Sequence, residues 1–151
     1  MRSRNSFNRY LLDTHYLIWA CADSKRISRE CFEFLIDPLN ELYFSAASIQ
    51  EIAIKFSLGK PDFTVDPDEI LRGLLANGYN ELPITSHHAV SLNRLPQSMH
   101  GDPFDRIIVA QANTEALTLL TNDEKIIQHC SSYIPIKTFS TVKTAKPRHS
   151  K

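Results

Sequence analysis

The sequence predicts an α/β fold in which a parallel sheet of four to five strands is flanked by helices on both faces. Short apolar runs alternate along the chain with amphipathic segments of helical spacing, and no repeat or linker divides the 151 residues. With 42% apolar and 23% charged residues, the composition is that of a folded globular domain. Disordered and fibrous classes are therefore excluded.

The strands are predicted from short apolar runs that end at cap or turn residues. In chain order these runs cover residues 9–13, 41–45, 81–84, 117–121 and, as a fifth strand, 133–138. Parallel neighbours cannot be joined by a tight turn, so each connection must contain a helix or a long crossover.

The helices are predicted between these strands, with ends marked by caps and prolines. Ser28, Asp66 and Asp102 are favourable N-cap residues, and a proline follows each of the last two. Gly59 provides a C-terminal stop, and Pro38 ends the helix before it because the residue preceding proline disfavours helical geometry. The predicted helices lie over about residues 14–21, 28–37, 46–58, 66–78, 86–95, 102–112 and 122–130.

We expect one domain over residues 9–138, with a flexible N-terminal extension over residues 1–8 and a basic flexible tail over residues 139–151. The 17 basic and 17 acidic residues balance, so the whole chain lacks the positive charge typical of nucleic-acid binding. Three cysteines without CxxC spacing predict reduced thiols, and no apolar run is long enough to cross a bilayer. We therefore expect a cytoplasmic protein.

Acidic residues stand where the predicted strands end and the helices begin. Asp13 ends the first strand, Asp123 follows the fourth, and Asp105 lies in the first turn of a helix. Ligands of α/β sheets bind beyond the carboxyl ends of the strands, so we expect these acids to gather there with Glu51. Carboxylates are preferred ligands of Mg²⁺ and Mn²⁺, which activate water for phosphodiester hydrolysis. The pattern favours a metal-dependent nuclease.

Each acid also has a purely structural explanation. Asp13 and Asp123 are good helix caps, and Asp105 is placed to close a capping box. Glu51 is placed to form an exposed ion pair with Lys55 one turn along the same helix. A non-catalytic module that binds RNA or protein and keeps these acids as caps is therefore an alternative.

Other catalytic patterns are not supported. An aspartyl phosphatase carries a second acid two residues after the first, and His15 occupies that position here. The chain has only four glycines, without a phosphate-binding loop or a GxSxG nucleophile motif. No histidine pair has HxxxH or HExxH spacing, so ordinary surface or loop positions are expected for His15, His87, His88 and His100. His100 lies shortly before Asp102, so we expect it to line the cleft of the acidic site.

Several long segments resemble, in order and spacing, the PIN-domain family, and within it the VapC-like toxins of type II toxin–antitoxin pairs. They are "YLLDTHYLIWA", "YFSAASIQEIAIKFSLGK", "ELPIT", "HGDPFDRIIVAQA" and "LLTNDEKI", and together they extend over about residues 9–136. The resemblance implies a PIN-like fold and a Mg²⁺- or Mn²⁺-dependent endoribonuclease.

The resemblance also implies which residues form the site. The catalytic and metal-binding acids fall on Asp13, Glu51, Asp105 and Asp123. The accessory residues are Thr14, Asp102, Thr121 and Arg106. We expect Asp102 to be a helix cap that also contacts water on the metal, and Arg106 or Lys55 to contact RNA phosphates.

The partners implied by the resemblance are an RNA substrate, a small antitoxin protein and a second copy of the chain in a homodimer. Association with a membrane is not expected. A nuclease that acts in RNA processing outside a toxin–antitoxin pair is a further alternative.

Overall fold

The computed structural model describes residues 8–99 and 101–142. Residues 1–7 of the predicted extension, His100 and the basic residues 143–151 lie outside the described residues. The described part of the chain forms five strands and seven α-helices, in the order β1 (Arg9–Leu12), α1 (Thr14–Ala22), α2 (Arg29–Ile36), β2 (Glu41–Ser45), α3 (Ala46–Ser57), α4 (Pro67–Ala76), β3 (Asn80–Leu82), α5 (Ser86–Ser91), α6 (Pro103–Thr114), β4 (Thr118–Leu120), α7 (Glu124–Cys130) and β5 (Ile136–Lys137).

The strands of the described residues form one parallel sheet in the order β3-β2-β1-β4-β5. β1 is central: Leu11 lies opposite Tyr43 of β2 on one side and opposite Leu119 of β4 on the other. The strand order reverses at β1, which is where open α/β sheets form a ligand crevice at the carboxyl ends of their strands. The sheet confirms the predicted fold class.

Helices cover both faces of the sheet. Successive residues of a strand point to opposite faces, so neighbouring leucines of β1 enter different cores. Leu11 and Leu119 pack with residues of α6 and α7, whereas Leu12 and Leu120 pack with residues of α1, α2 and α4. All four leucines are fully buried, and each contributes roughly 1.5–3 kcal/mol to folding.

The ends of α4, β3 and α5 are among those that differ from the sequence prediction. α4 ends at Ala76, two residues early, because Gly78 adopts a φ of 83° that closes the helix. β3 ends before Pro83, which has no N–H to donate to a neighbouring strand, whereas the predicted strand continued to residue 84. α5 ends at Ser91 and continues as a tighter 3₁₀ turn over Leu92–Arg94.

The folded part of the chain continues past the predicted domain boundary at residue 138. Phe139 is buried; its N–H donates to the Tyr16 hydroxyl at 3.2 Å, and its carbonyl accepts the Asn122 side-chain amide at 2.8 Å. Thr141 forms an antiparallel bridge with Ile27. Residues 139–141 therefore contact α1, the loop before α2 and the segment after β4.

All three cysteines fall within the described residues and are free thiols, as predicted. Burial raises the pKa of the Cys31 thiol to about 11, so it stays protonated at neutral pH. None of the helices in the described part of the chain has both the length and the apolar character needed to span a bilayer.

Candidate active site

Asp13 directly follows the central strand and uses both of its carboxylate oxygens. Oδ1 accepts the Tyr16 N–H at 3.0 Å, so Asp13 caps α1, as the structural explanation predicts. Oδ2 accepts the hydroxyl of Thr121, which follows β4. Burial raises the pKa of Asp13 and the charge of Asp123 raises it further, against the lowering effects of these two hydrogen bonds.

Thr121 links Asp13 to Asp123. Its buried hydroxyl donates to Asp13 and accepts the Asp123 N–H at 3.0 Å. Asp123 in turn caps α7, because its Oδ1 accepts the Ile126 N–H at 3.0 Å. One threonine therefore holds two of the four predicted acids side by side.

Glu51 approaches from α3, on the other side of β1. Its Oε2 lies 3.0 Å from Lys55 Nζ, so the ion pair of the structural explanation is present. Glu51 itself, however, is only 7% exposed, because α3 packs between α1, α4 and α6. The Thr14 hydroxyl donates to Ser48 Oγ at 2.9 Å, which ties the start of α1 to α3 one turn before Glu51.

Asp105 lies in the first turn of α6. Asp102 caps this helix by accepting the Phe104 N–H at 2.9 Å, as predicted. The Asp105 carboxylate accepts no hydrogen bond from another described residue, so it does not close a capping box. Burial is the largest cause of its raised pKa of about 7, and four neighbouring carboxylates add to it. In decreasing order of effect, these neighbours are Asp102, Asp123, Glu51 and Asp13.

The four predicted acids therefore come from separate segments and influence one another electrostatically. Among the described residues, no three acidic, histidine or cysteine side chains are already close enough to hold a metal ion, and Glu51 is paired with Lys55. Even so, the donor set fits a hard divalent cation, because carboxylates are its preferred ligands. Burial raises the pKa of Asp105 most and the neighbouring negative charges add to it; a bound cation would neutralise those charges.

Comparison with known proteins agrees with this architecture. The sequence profile described as "PIN domain" matches residues 10–130. The chain belongs to the PIN-domain family. It is also similar to Ribonuclease VapC22 of Mycobacterium tuberculosis (strain ATCC 25618 / H37Rv), with 30% identity over 119 residues, which is 79% of this chain and 90% of that protein.

Solved structures show the same fold. The PIN domain described above matches VapBC2 from Rickettsia felis bound to a promoter DNA fragment, with a TM-score of 0.67, 16% identity, and coverage of 87% of this chain and 99% of that one. A toxin–antitoxin complex from Klebsiella pneumoniae matches with a TM-score of 0.59, 20% identity, and coverage of 87% and 98%. The PIN domain endonuclease Utp24 matches with a TM-score of 0.57, 17% identity, and coverage of 91% and 90%.

A groove of about 1330 Å³ extends from Glu51 across α1, α2 and α4 of the PIN domain. Phe32 and Ile36 line it and are 52% and 61% exposed. Lys55 is the one lysine or arginine among the described residues that line the groove. The acidic lining residues are Asp23, Asp37, Glu41, Glu51, Asp62, Asp66 and Glu69. Acidic and apolar side chains therefore dominate the lining of this groove.

A buried polar network between α5 and α6 of the PIN domain was not predicted from the sequence. His88, expected at the surface or in a loop, is 1% exposed, which corrects that expectation, whereas His15 and His87 are exposed. His88 Nδ1 accepts the Thr85 N–H at 3.0 Å, so its protonated Nε2 donates to Glu115 at 2.7 Å. The spacing of Thr85 and His88, typical of a helix cap, is the signal that identifies this histidine.

Proposed function

We propose that this PIN domain is a metal-dependent endoribonuclease. The observation that carries the proposal is the environment of Asp105, a partly buried carboxylate whose pKa is raised first by burial and then by the charges of Asp102, Asp123, Glu51 and Asp13. Isolated helix caps on separate surfaces would not influence one another in this way. The similarity to Ribonuclease VapC22 supports RNA as the substrate.

The four acids would hold the ion, proposed to be Mg²⁺ or Mn²⁺. When bound, such an ion supplies a water of lowered pKa and neutralises charge on the phosphate and the leaving oxygen. Thr121 fixes the orientation of Asp13, and Asp102 fixes the start of α6 and thus the position of Asp105. The expected products carry 5′-phosphate and 3′-hydroxyl ends.

The RNA contacts in this proposal are the two basic side chains Lys55 and Arg106. Lys55 is half-exposed at the rim of the acid cluster, beside Glu51. Arg106 follows Asp105 on α6 and is partly exposed. We assign both side chains to the phosphate backbone of the substrate.

The experiment that tests this function compares Asp13→Asn and Asp105→Asn with the unchanged protein. Both variants should lose Mg²⁺- or Mn²⁺-dependent RNA cleavage by at least about a hundredfold, because each removes a metal-binding charge. Exposed Asp68, in the first turn of α4, provides the control, and Asp68→Asn should keep full activity. Undiminished cleavage by both site variants would contradict the assignment.

The non-catalytic alternative has one observation in its favour, since Asp13, Asp102 and Asp123 do cap helices. Titrating Mn²⁺ while following thermal unfolding separates the two functions. A metal site raises the melting temperature with metal concentration, because the ion binds only the folded state. Acids that serve only as caps give no such rise.

We also propose two protein partners. The acidic groove would receive a cationic segment of a small antitoxin, in keeping with the toxin–antitoxin complexes among the structural relatives. Co-expression with the product of the neighbouring reading frame should yield a complex that is weakened by the pair Asp62→Lys and Glu69→Lys. A second copy of the chain would complete a homodimer, which a light-scattering mass measurement of the pure protein tests.

A further inference from the structure

A buried hydrogen-bonded path joins the two helices that carry Glu51 and Asp105. Ser45 is the last residue of β2 and the N-cap of α3. Its Oγ accepts the Ala47 N–H at 2.9 Å and donates to Oε1 of Gln111, in α6, at 2.5 Å. Ser45 and Gln111 are both fully buried, so solvent does not compete for this contact.

The amide of Gln111 is also held at its other end. Nε2 donates to the carbonyl of Pro83, directly after β3, at 3.3 Å and lies 3.4 Å from His88 Nδ1 in α5. His88 in turn donates to Glu115, directly after α6. One side chain therefore connects α6 to the end of β3, to α5 and to the start of α3, and any shift of α6 leaves a buried polar group unpaired.

The geometry of the path relates it to the acid cluster. Glu51 follows Ser45 by less than two turns of α3, and Asp105 precedes Gln111 by less than two turns of α6. Apolar contacts between these helices have little directional preference to resist a sliding motion. The directional hydrogen bond between Ser45 and Gln111 opposes that motion.

We propose that the Ser45–Gln111 hydrogen bond is a positioning contact that fixes the separation of Glu51 and Asp105, and so sets the affinity of the acid cluster for a divalent cation. Gln111 and Ser45 are positioning residues, since neither contacts the reacting atoms. The inference rests on the proposed function, because it assumes that the cluster binds a metal.

Three variants and one control test this role. Gln111→Met removes the amide but keeps an unbranched side chain of similar length, Ser45→Ala removes the hydroxyl, and Ser45→Thr retains it. Ser91→Ala is the matched control: the Ser91 hydroxyl is buried in α5 and donates to the His88 carbonyl at 2.8 Å, within the same polar network but without contact to α3.

Mn²⁺ affinity is measured by calorimetry on the full chain, alongside chemical unfolding in the presence of a chelator. Gln111→Met and Ser45→Ala should each weaken Mn²⁺ binding about tenfold, the low end of the range for residues that orient metal ligands. The double variant should bind no more weakly than either single variant, because both remove the same contact. Ser45→Thr should stay close to the unchanged protein, and Ser91→Ala should lower stability without altering the Mn²⁺ affinity.

Unchanged Mn²⁺ affinity in Gln111→Met and Ser45→Ala would overturn the inference, and so would an equal loss in Ser91→Ala. If Gln111→Met does not fold, as judged by circular dichroism, the smaller change Ser45→Ala decides. An unchanged protein that binds no Mn²⁺ refutes the proposed metal site itself. If the unchanged protein binds Mn²⁺ and cleaves RNA, and the variants bind Mn²⁺ equally well, only the positioning role is refuted.

Discussion

The carboxyl group of Asp105 couples protonation to folding. Its pKa rises from the ordinary value of 3.8 to about 7 in the folded protein, through burial and then the charges of its neighbours. A group whose pKa is raised by folding stabilises the fold below its unfolded pKa and loses that contribution as the pH rises through its folded pKa. The metal-free protein should therefore lose stability between about pH 4 and pH 7.

Asp105→Asn should remove this loss of stability at higher pH. In the presence of a chelator at pH 8, we expect the variant to melt about 3 °C above the unchanged protein, which corresponds to about 1 kcal/mol after allowance for solvent screening. At pH 4 the two melting temperatures should be nearly equal. Calorimetric scans at both pH values provide the measurement, with Asp68→Asn as the control. A variant that melts below the unchanged protein at pH 8 would show that Asp105 stabilises the metal-free fold.

Among the helices, α7 depends on an acid that has two roles. Asp123 caps α7 and also belongs to the acid cluster. Asparagine caps a helix about as well as aspartate does but carries no charge. Alanine neither caps a helix nor carries a charge. Asp123→Asn should therefore retain stability and lose cleavage, while Asp123→Ala should also lose about 1 kcal/mol of unfolding free energy. Urea titrations of both variants measure the difference, and an equal stability loss in both would show that the charge rather than the cap stabilises α7.

The helices and strands themselves were largely predictable from the sequence, because their signals are local. Ser28, Asp66 and Asp102 cap the helices that they were predicted to cap. The sequence could not place the end of α4 or of α5, since these depend on whether Gly78 closes the helix and on how tightly the chain winds after Ser91. Boundaries of this kind follow from packing, which a single sequence does not reveal.

The four acids were predictable by type and position, but their environments were not. The ion pair of Glu51 with Lys55 follows from their spacing, yet the burial of Glu51 results from three helices that are distant in the sequence. The environment of Gln111 was not predictable either. In the sequence it is one polar residue of α6, but in the structure it contacts Pro83 after β3 and His88 of α5. Long-range contacts of this kind were beyond a reading of local patterns.

For the molecule as a whole, the segment after β5 closes the domain. Phe139 packs in the core that contains Tyr16 and Leu120, and its backbone is held by Tyr16 and Asn122. Phe139→Ala should lower the free energy of unfolding by about 3 kcal/mol, as expected for a buried phenylalanine. Chemical denaturation measures this loss, and exposed Phe32 supplies the control, because Phe32→Ala should cost little. A small effect at Phe139 would mean that the segment after β5 contributes little to the domain.

The central position of β1 has a consequence for synthesis on the ribosome. β1 emerges early, whereas its neighbour β4 and the acids Asp105 and Asp123 emerge only after α1 to α5 have been translated. Until then β1 has one unpaired edge, and Asp13 lacks its partner Thr121. The proposed nuclease would therefore become competent only after β4 and Asp123 have been translated and have joined β1.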